Sequence, residues 1–196
     1  MQRREALGLL AAAPLAAAFG WTPASVREAA ARAREALARG TPYEPKQFTA
    51  HEWDTVRILV DLILPKDERS GSATDAGVPE FMDFMLGDDP ALAVPVRGGL
   101  AWLDHECDDR YGKSFVACRE TERTALLDDI AWPRKATPQH AAGVAFFNRF
   151  RDLTATGFFS SRMGVRDLRY IGNAFVSEWK GCPPDALAKL GVRYDE

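Results

Sequence analysis

An all-α fold is predicted for this 196-residue chain by three observations. Apolar residues recur at helical spacing in several segments, capping residues stand at the starts of those segments, and no stretch sustains the alternation of a half-buried strand. Hydrophobic residues make up 46% and charged residues 27% of the chain, which provides for one packed core and argues against disorder. The length suits one domain with an appendage and is short for two. The expected architecture is a single compact helical domain with an N-terminal helical arm and an irregular, aromatic-rich C-terminal tail.

The elements follow in order. Residues 24–39, ASVREAAARAREALAR, are strong helix formers with an apolar face that is nearly all alanine. Such a face has little to bury, so this arm is expected to be a solvated spacer or a strap on a partner. Gly40 ends it, and Pro42 and Pro45 mark an extended linker. The domain proper opens at Phe48-Thr49-Ala50-His51-Glu52-Trp53, where Thr49 and Glu52 form a capping box and Phe48 and Trp53 a hydrophobic staple. Val56, Leu59, Val60 and Ile63 continue that apolar face as far as Pro65, and residues 66–77 read as a loop. Pro79 suits the first turn of a short helix through Met85, which Gly87 and Pro90 stop. Longer helices are expected from about Pro95 to Arg110, from about Cys118 to Ala131, and from Pro138, capped by Thr137, to about Thr156. From Leu153 onwards glycines and large aromatics mix with little periodicity, which predicts irregular structure. Phe158, Phe159 and Trp179 are the interface candidates there, with core packing as the other reading.

The N-terminus reads as a targeting segment. Arg3-Arg4 precedes a mild, Ala-rich run from Leu9 to Phe19, with Ala16-Ala17-Ala18 as an A-x-A cleavage pattern. The run is well short of the roughly 20 residues of a membrane-spanning helix, so no membrane span is expected. A paired Arg before a weakly apolar core is the twin-arginine (Tat) type, which exports proteins already folded, to the periplasm. Charge is uneven: residues 1–40 hold six Arg and three Glu, a local +3, against −6 for the rest and −3 overall. An acidic body disfavours nucleic acid as a partner.

No catalytic constellation emerges. His51-Glu52 and His105-Glu106 each lack the second His of a zinc-protease helix, and there is no phosphate loop, dinucleotide fingerprint or G-x-S-x-G elbow. Asp104, His105, Glu106, Asp108 and Asp109 are acidic enough to suggest a cation, or else a solvated helix face. No catalytic, cofactor-binding or metal-ligating residue is therefore assigned. Cys107, Cys118 and Cys182 lack C-x-x-C spacing. They read either as one pair, Cys107 with Cys118 across a turn, plus a leftover Cys182 free to bond another chain, or as three small apolar residues.

Several segments in one order resemble the gluconate 2-dehydrogenase subunit 3 family: RREAL at the start, FTAHEWDTVRILVDLILP, DAGVPEFMDFML, GLAWLD, LTATGFFSS and YIGNAFVSEWKGCP. The similarity runs from Arg3 to about Pro183. It implies a small accessory subunit of an FAD-dependent sugar or glycoside dehydrogenase, whose glucose-methanol-choline (GMC) type catalytic subunit holds FAD, with a cytochrome c subunit in some complexes. It further implies that this chain supplies the export signal and stabilises its flavin-bearing partner, with contacts along the tail from Phe158 to Pro183, including Tyr170, Asn173, Phe175 and Trp179. The expected division is a signal over 1–20, an arm and linker over 21–47, and the subunit domain over 48–196. Two rival readings are a transient export chaperone for a flavoprotein and a metal-dependent enzyme built on the Asp104–Asp109 cluster.

Overall fold

A twenty-residue helix, Ala141–Ser160, runs through the middle of the structure, and six other helices pack on it. The computed structural model describes residues 21–169, 178 and 181–194. Among them are eight α-helices and no strand: α1 Pro23–Ala38, α2 Ala50–Ile63, α3 Val78–Asp88, α4 Pro90–Tyr111, α5 Glu120–Ala131, α6 Ala141–Ser160, α7 Arg162–Asp167 and α8 Pro184–Leu190. The all-α expectation holds. Short 3-10 turns at Phe115–Ala117 and Pro138–His140 lead into α5 and α6.

The helix starts follow the local chemistry. Thr49 accepts from the Glu52 amide while the Glu52 carboxylate accepts from the Thr49 amide at 2.8 Å, and the Phe48 and Trp53 rings sit 6.3 Å apart across the cap. The capping box and staple are thus as the residues foretell. Asp89 caps α4 by accepting from the Ala91 amide at 3.1 Å. The helix therefore begins at Pro90, and Pro95 stands inside it and not at its start. Proline there forgoes one internal hydrogen bond, while Leu92 and Val96 on either side of it are buried.

Two expectations are corrected. The alanine-faced arm is neither spacer nor strap on another chain: α1 lies along α3 and touches α6, burying Val26, Ala29 and Ala33, with Trp21 buried just before it. Small side chains allow two helices to approach closely, so a face with little area to bury still docks well. The segment from Leu153 to Ser160 is regular helix. Leu153, Thr154, Gly157 and Phe158 share a buried face of α6, and the hydroxyls of Thr154, Thr156 and Ser160 each donate to the carbonyl four residues back.

α4 and α6 interlock at two glycines. A methyl group on Gly99 of α4 would fall 1.8 Å from the Phe146 ring of α6, and one on Gly143 of α6 would fall 2.4 Å from the Trp102 ring of α4. Each helix thus offers an aromatic knob and a glycine socket, spaced by three residues on the same face. Gly98, one position away, faces open space.

That contrast predicts opposite signs for adjacent substitutions. Helix propensity favours Ala over Gly by up to about 1 kcal/mol, so Gly98→Ala is expected to hold or raise stability. Gly99→Ala is expected to lose about 2 kcal/mol or more, because overpacking outweighs propensity. Urea unfolding of the two variants decides it, and equal effects at both sites would refute the interlock.

Candidate functional site

Polar groups that could do chemistry are largely engaged within the fold. His51 Nε2 lies 2.6 Å from Asp104 Oδ2, and Asp104 Oδ1 accepts from the Phe115 amide at 2.9 Å. The dyad joins α2, α4 and the 3-10 turn after α4. Arg110 donates to Glu106 and to Asp129, each at 2.7 Å, with His140 packed against them and edge-on to Trp102. His105 and Asp109 face each other at 3.6 Å on the open side of α4. The acidic run on α4 is thus distributed around the helix, its members serving different neighbours. Among the described residues no three His, Cys, Asp or Glu side chains converge in a way that could hold a metal ion.

Glu122 is drawn into three bonds. It accepts from the Arg119 amide, the Arg119 guanidinium and the Lys113 ammonium, at 2.7, 2.8 and 2.7 Å. Arg119 foremost, then Lys113, holds its carboxyl down at about 2. This is a helix-start clamp at α5.

Two buried carboxylates on α3 matter more for shape. Asp83, 2% exposed, accepts from the Tyr43 hydroxyl at 2.7 Å and from the Lys46 and Gln47 amides at 2.9 and 2.8 Å. It pins the linker that joins α1 to α2. Burial, then the Asp83 carboxylate, holds the Tyr43 phenol protonated far above the physiological range. Glu80 is 5% exposed, and its Oε2 has no hydrogen-bond partner. Burial raises its pKa above the usual carboxylate value, Asp83 adding to the rise and Arg57 opposing it.

The candidate partner residues divide. Phe158 is 3% exposed and belongs to the core, so it offers no surface to a partner. Its neighbour Phe159 is half-buried, edge-to-face with Phe158 at 5.2 Å. The physical reason is the extension of α6: Phe158 falls on the helix face that meets the core. Arg3, Arg4, Tyr170, Asn173, Phe175 and Trp179 lie outside the described residues. Cys182 is exposed with a free thiol. Its amide donates to the Tyr194 hydroxyl at 2.6 Å, and Gly181, at φ +88°, lies against the Tyr194 ring. Residues 181–194 thus close on themselves around α8, which buries none of its residues. Leu190, Val192 and Tyr194 all remain exposed there, as do Val165 and Leu168 at α7. The sequence reading missed this apolar end of the chain. Its only available sign was the set of large apolar residues after Pro184 in a segment too short to build a core.

Cys107 and Cys118 are both buried and meet as thiols. Burial first, and the Cys118 thiol second, pushes the Cys107 thiol up to about 12. Neither is available to another chain in the folded state.

Glu80 supplies a test of the buried carboxylates. A folded-state pKa raised above the unfolded value means that the folded chain binds the proton more tightly, so this group's contribution to stability falls as pH rises past the ordinary glutamate value. Glu80→Gln is expected to unfold at higher urea than the parent at pH 7 to 8, with the difference closing below about pH 4. A Gln variant less stable across the whole range would show that the carboxylate is favourably paired.

Nothing among curated proteins or solved structures matches the chain. The profile of the family described as gluconate 2-dehydrogenase subunit 3 does match, over residues 50–177. That span runs from the capped start of α2 through the glycine-socketed crossing of α4 and α6 to beyond α7. The chain belongs to the gluconate 2-dehydrogenase subunit 3 family.

Proposed function

We propose that this chain is the non-catalytic small subunit of a periplasmic FAD-dependent sugar or glycoside dehydrogenase. Its partner is a GMC-type catalytic subunit that holds FAD and the reacting groups, and a cytochrome c subunit that receives electrons is compatible with the same assembly. The observation that carries the reading is the family match over residues 50–177, a family of subunits by its own description. The engagement of His51 with Asp104, and of Arg110 with Glu106 and Asp129, agrees with an active site on another chain. So do the exposed apolar residues around α7 and α8, since apolar groups left uncovered mark contact surfaces more often than chemistry.

The Arg3-Arg4 signal gives the complex its route of export. A flavoprotein must take its cofactor before it folds shut, and the twin-arginine route moves folded cargo, so one signal on the small subunit serves both chains. Cys182, exposed and free, is the thiol that joins this subunit to its partner in an oxidising compartment.

The test is to tag the C-terminus, purify gently from the native periplasm, and record a visible spectrum beside a non-reducing gel. A flavin spectrum with a larger band at equal stoichiometry is the expected result, and a colourless, solitary species would overturn the reading. Arg3→Lys with Arg4→Lys is expected to leave both this chain and the dehydrogenase activity in the cytoplasm; unchanged periplasmic activity would remove the carrier role. Cys182→Ser is expected to abolish the covalent heterodimer band, and a band that survives it would refute the bond through Cys182.

A further inference from the structure

The turn after α4 folds back along the helix that precedes it and is held there at several points. The Phe115 amide donates to Asp104 at 2.9 Å, Lys113 pairs with Glu122 at 2.7 Å, and Arg123 Nε donates to the Phe115 carbonyl at 2.8 Å. The Cys118 amide is closed onto the carbonyls of Ser114 and Phe115 at 3.1 and 3.2 Å. Asp104 and Cys107 are one helical turn apart, and so are Phe115 and Cys118 across the 3-10 turn. Across this corner the Cys107 and Cys118 side chains meet thiol to thiol.

Both cysteines sit at the bottom of this corner, 0% and 3% exposed. The Cys118 thiol also has the Lys113 carbonyl, at 4.0 Å, as a partner. Both belong to the buried core with Leu103, Phe115, Leu126 and Ile130, the charges of Asp104 and Arg110 act on Cys107, and among the described residues no third ligand joins them in a metal-binding group.

We propose that Cys107 and Cys118 are an intramolecular disulfide site, a dithiol that oxidises to a covalent staple across the corner between α4 and α5. The oxidant is another disulfide, either glutathione disulfide or a protein thiol–disulfide oxidoreductase. One cysteine thiolate attacks it, forming a mixed disulfide and releasing one thiol. The second cysteine then displaces the other thiol, so two cysteine thiols and one disulfide become one internal disulfide and two thiols. Burial makes the folded pair slow to react, since an attacking sulfur must be a thiolate and must reach its target. Oxidation therefore proceeds through local opening of the corner, while Cys182 reacts at once. The site rests on the fold of this chain alone, so its failure leaves the subunit reading standing, and failure of that reading leaves the site standing.

The experiment uses the full chain with Cys182→Ser, isolated with whatever subunit accompanies it, fully reduced and then incubated with glutathione disulfide with and without subdenaturing urea. Trypsin separates Cys107, in residues 98–110, from Cys118, in residues 114–119. The expected result is a mass loss of two hydrogens and a reductant-sensitive species joining those two peptides, appearing faster in urea. The oxidised chain is also expected to melt about 5–10 °C higher than the reduced one, as closing a loop of about a dozen residues implies. Two separate glutathione adducts, or thiols still free after the urea arm, would overturn the site. A crosslink with no rise in melting temperature would overturn its role as a staple.

Discussion

The crossing of α4 and α6 is the contact on which the remaining structure depends. Phe146 enters the gap over Gly99 and Trp102 enters the gap over Gly143, so the two helices pass closer than any pair with side chains at those positions could. α6 then becomes the axis against which α1, α2, α3, α5 and α7 pack. A third socket repeats the device further along, where a methyl group at Gly157 would fall 2.7 Å from the Phe81 ring of α3. Packing is therefore set by shape at a few glycines as well as by the total of apolar area, and interiors built this way tolerate little change in volume.

Asp83 solves a second problem. The linker between α1 and α2 has no secondary structure, and a chain segment laid on a core must still satisfy its amides. One buried carboxylate on α3 accepts from two of those amides and from the Tyr43 hydroxyl, which keeps the linker in place and with it α1. Tyr43 in turn packs against Trp53 and Phe84. A charged group buried with three donors around it is well compensated. Its neighbour Glu80, three residues earlier on the same helix, lacks that compensation at Oε2.

What the sequence made legible was chiefly local. The capping box at Thr49 and Glu52, the staple from Phe48 to Trp53 and the class of fold all rest on interactions within a few residues. The errors came where a distant partner decided the outcome. The arm's alanine face looks too poor to dock until α3 is seen to meet it, because close approach is a property of two helices and not of one. Leu153 to Ser160 looks irregular because two threonines, a glycine and two phenylalanines are indifferent helix formers, yet back-bonding hydroxyls and a buried face hold them helical. Phe158 was misplaced for the same reason: once that stretch is helix, its side chain points to the core.

The limits of the family match bear on how a partner is held. The matched span, 50–177, takes in α2 to α7, while α1 and α8 lie outside it. α1 is turned inward and spent on the chain's own core, whereas α8 buries nothing and closes residues 181–194 on themselves through the contact between Cys182 and Tyr194. The buried thiols Cys107 and Cys118 are inside the matched span and the exposed one is beyond it. A covalent tie through Cys182 is thus argued from this chain's own C-terminal residues, and family membership lends it no weight. A chain that supplied the second sulfur would meet the exposed Leu190, Val192 and Tyr194 of the same segment as well.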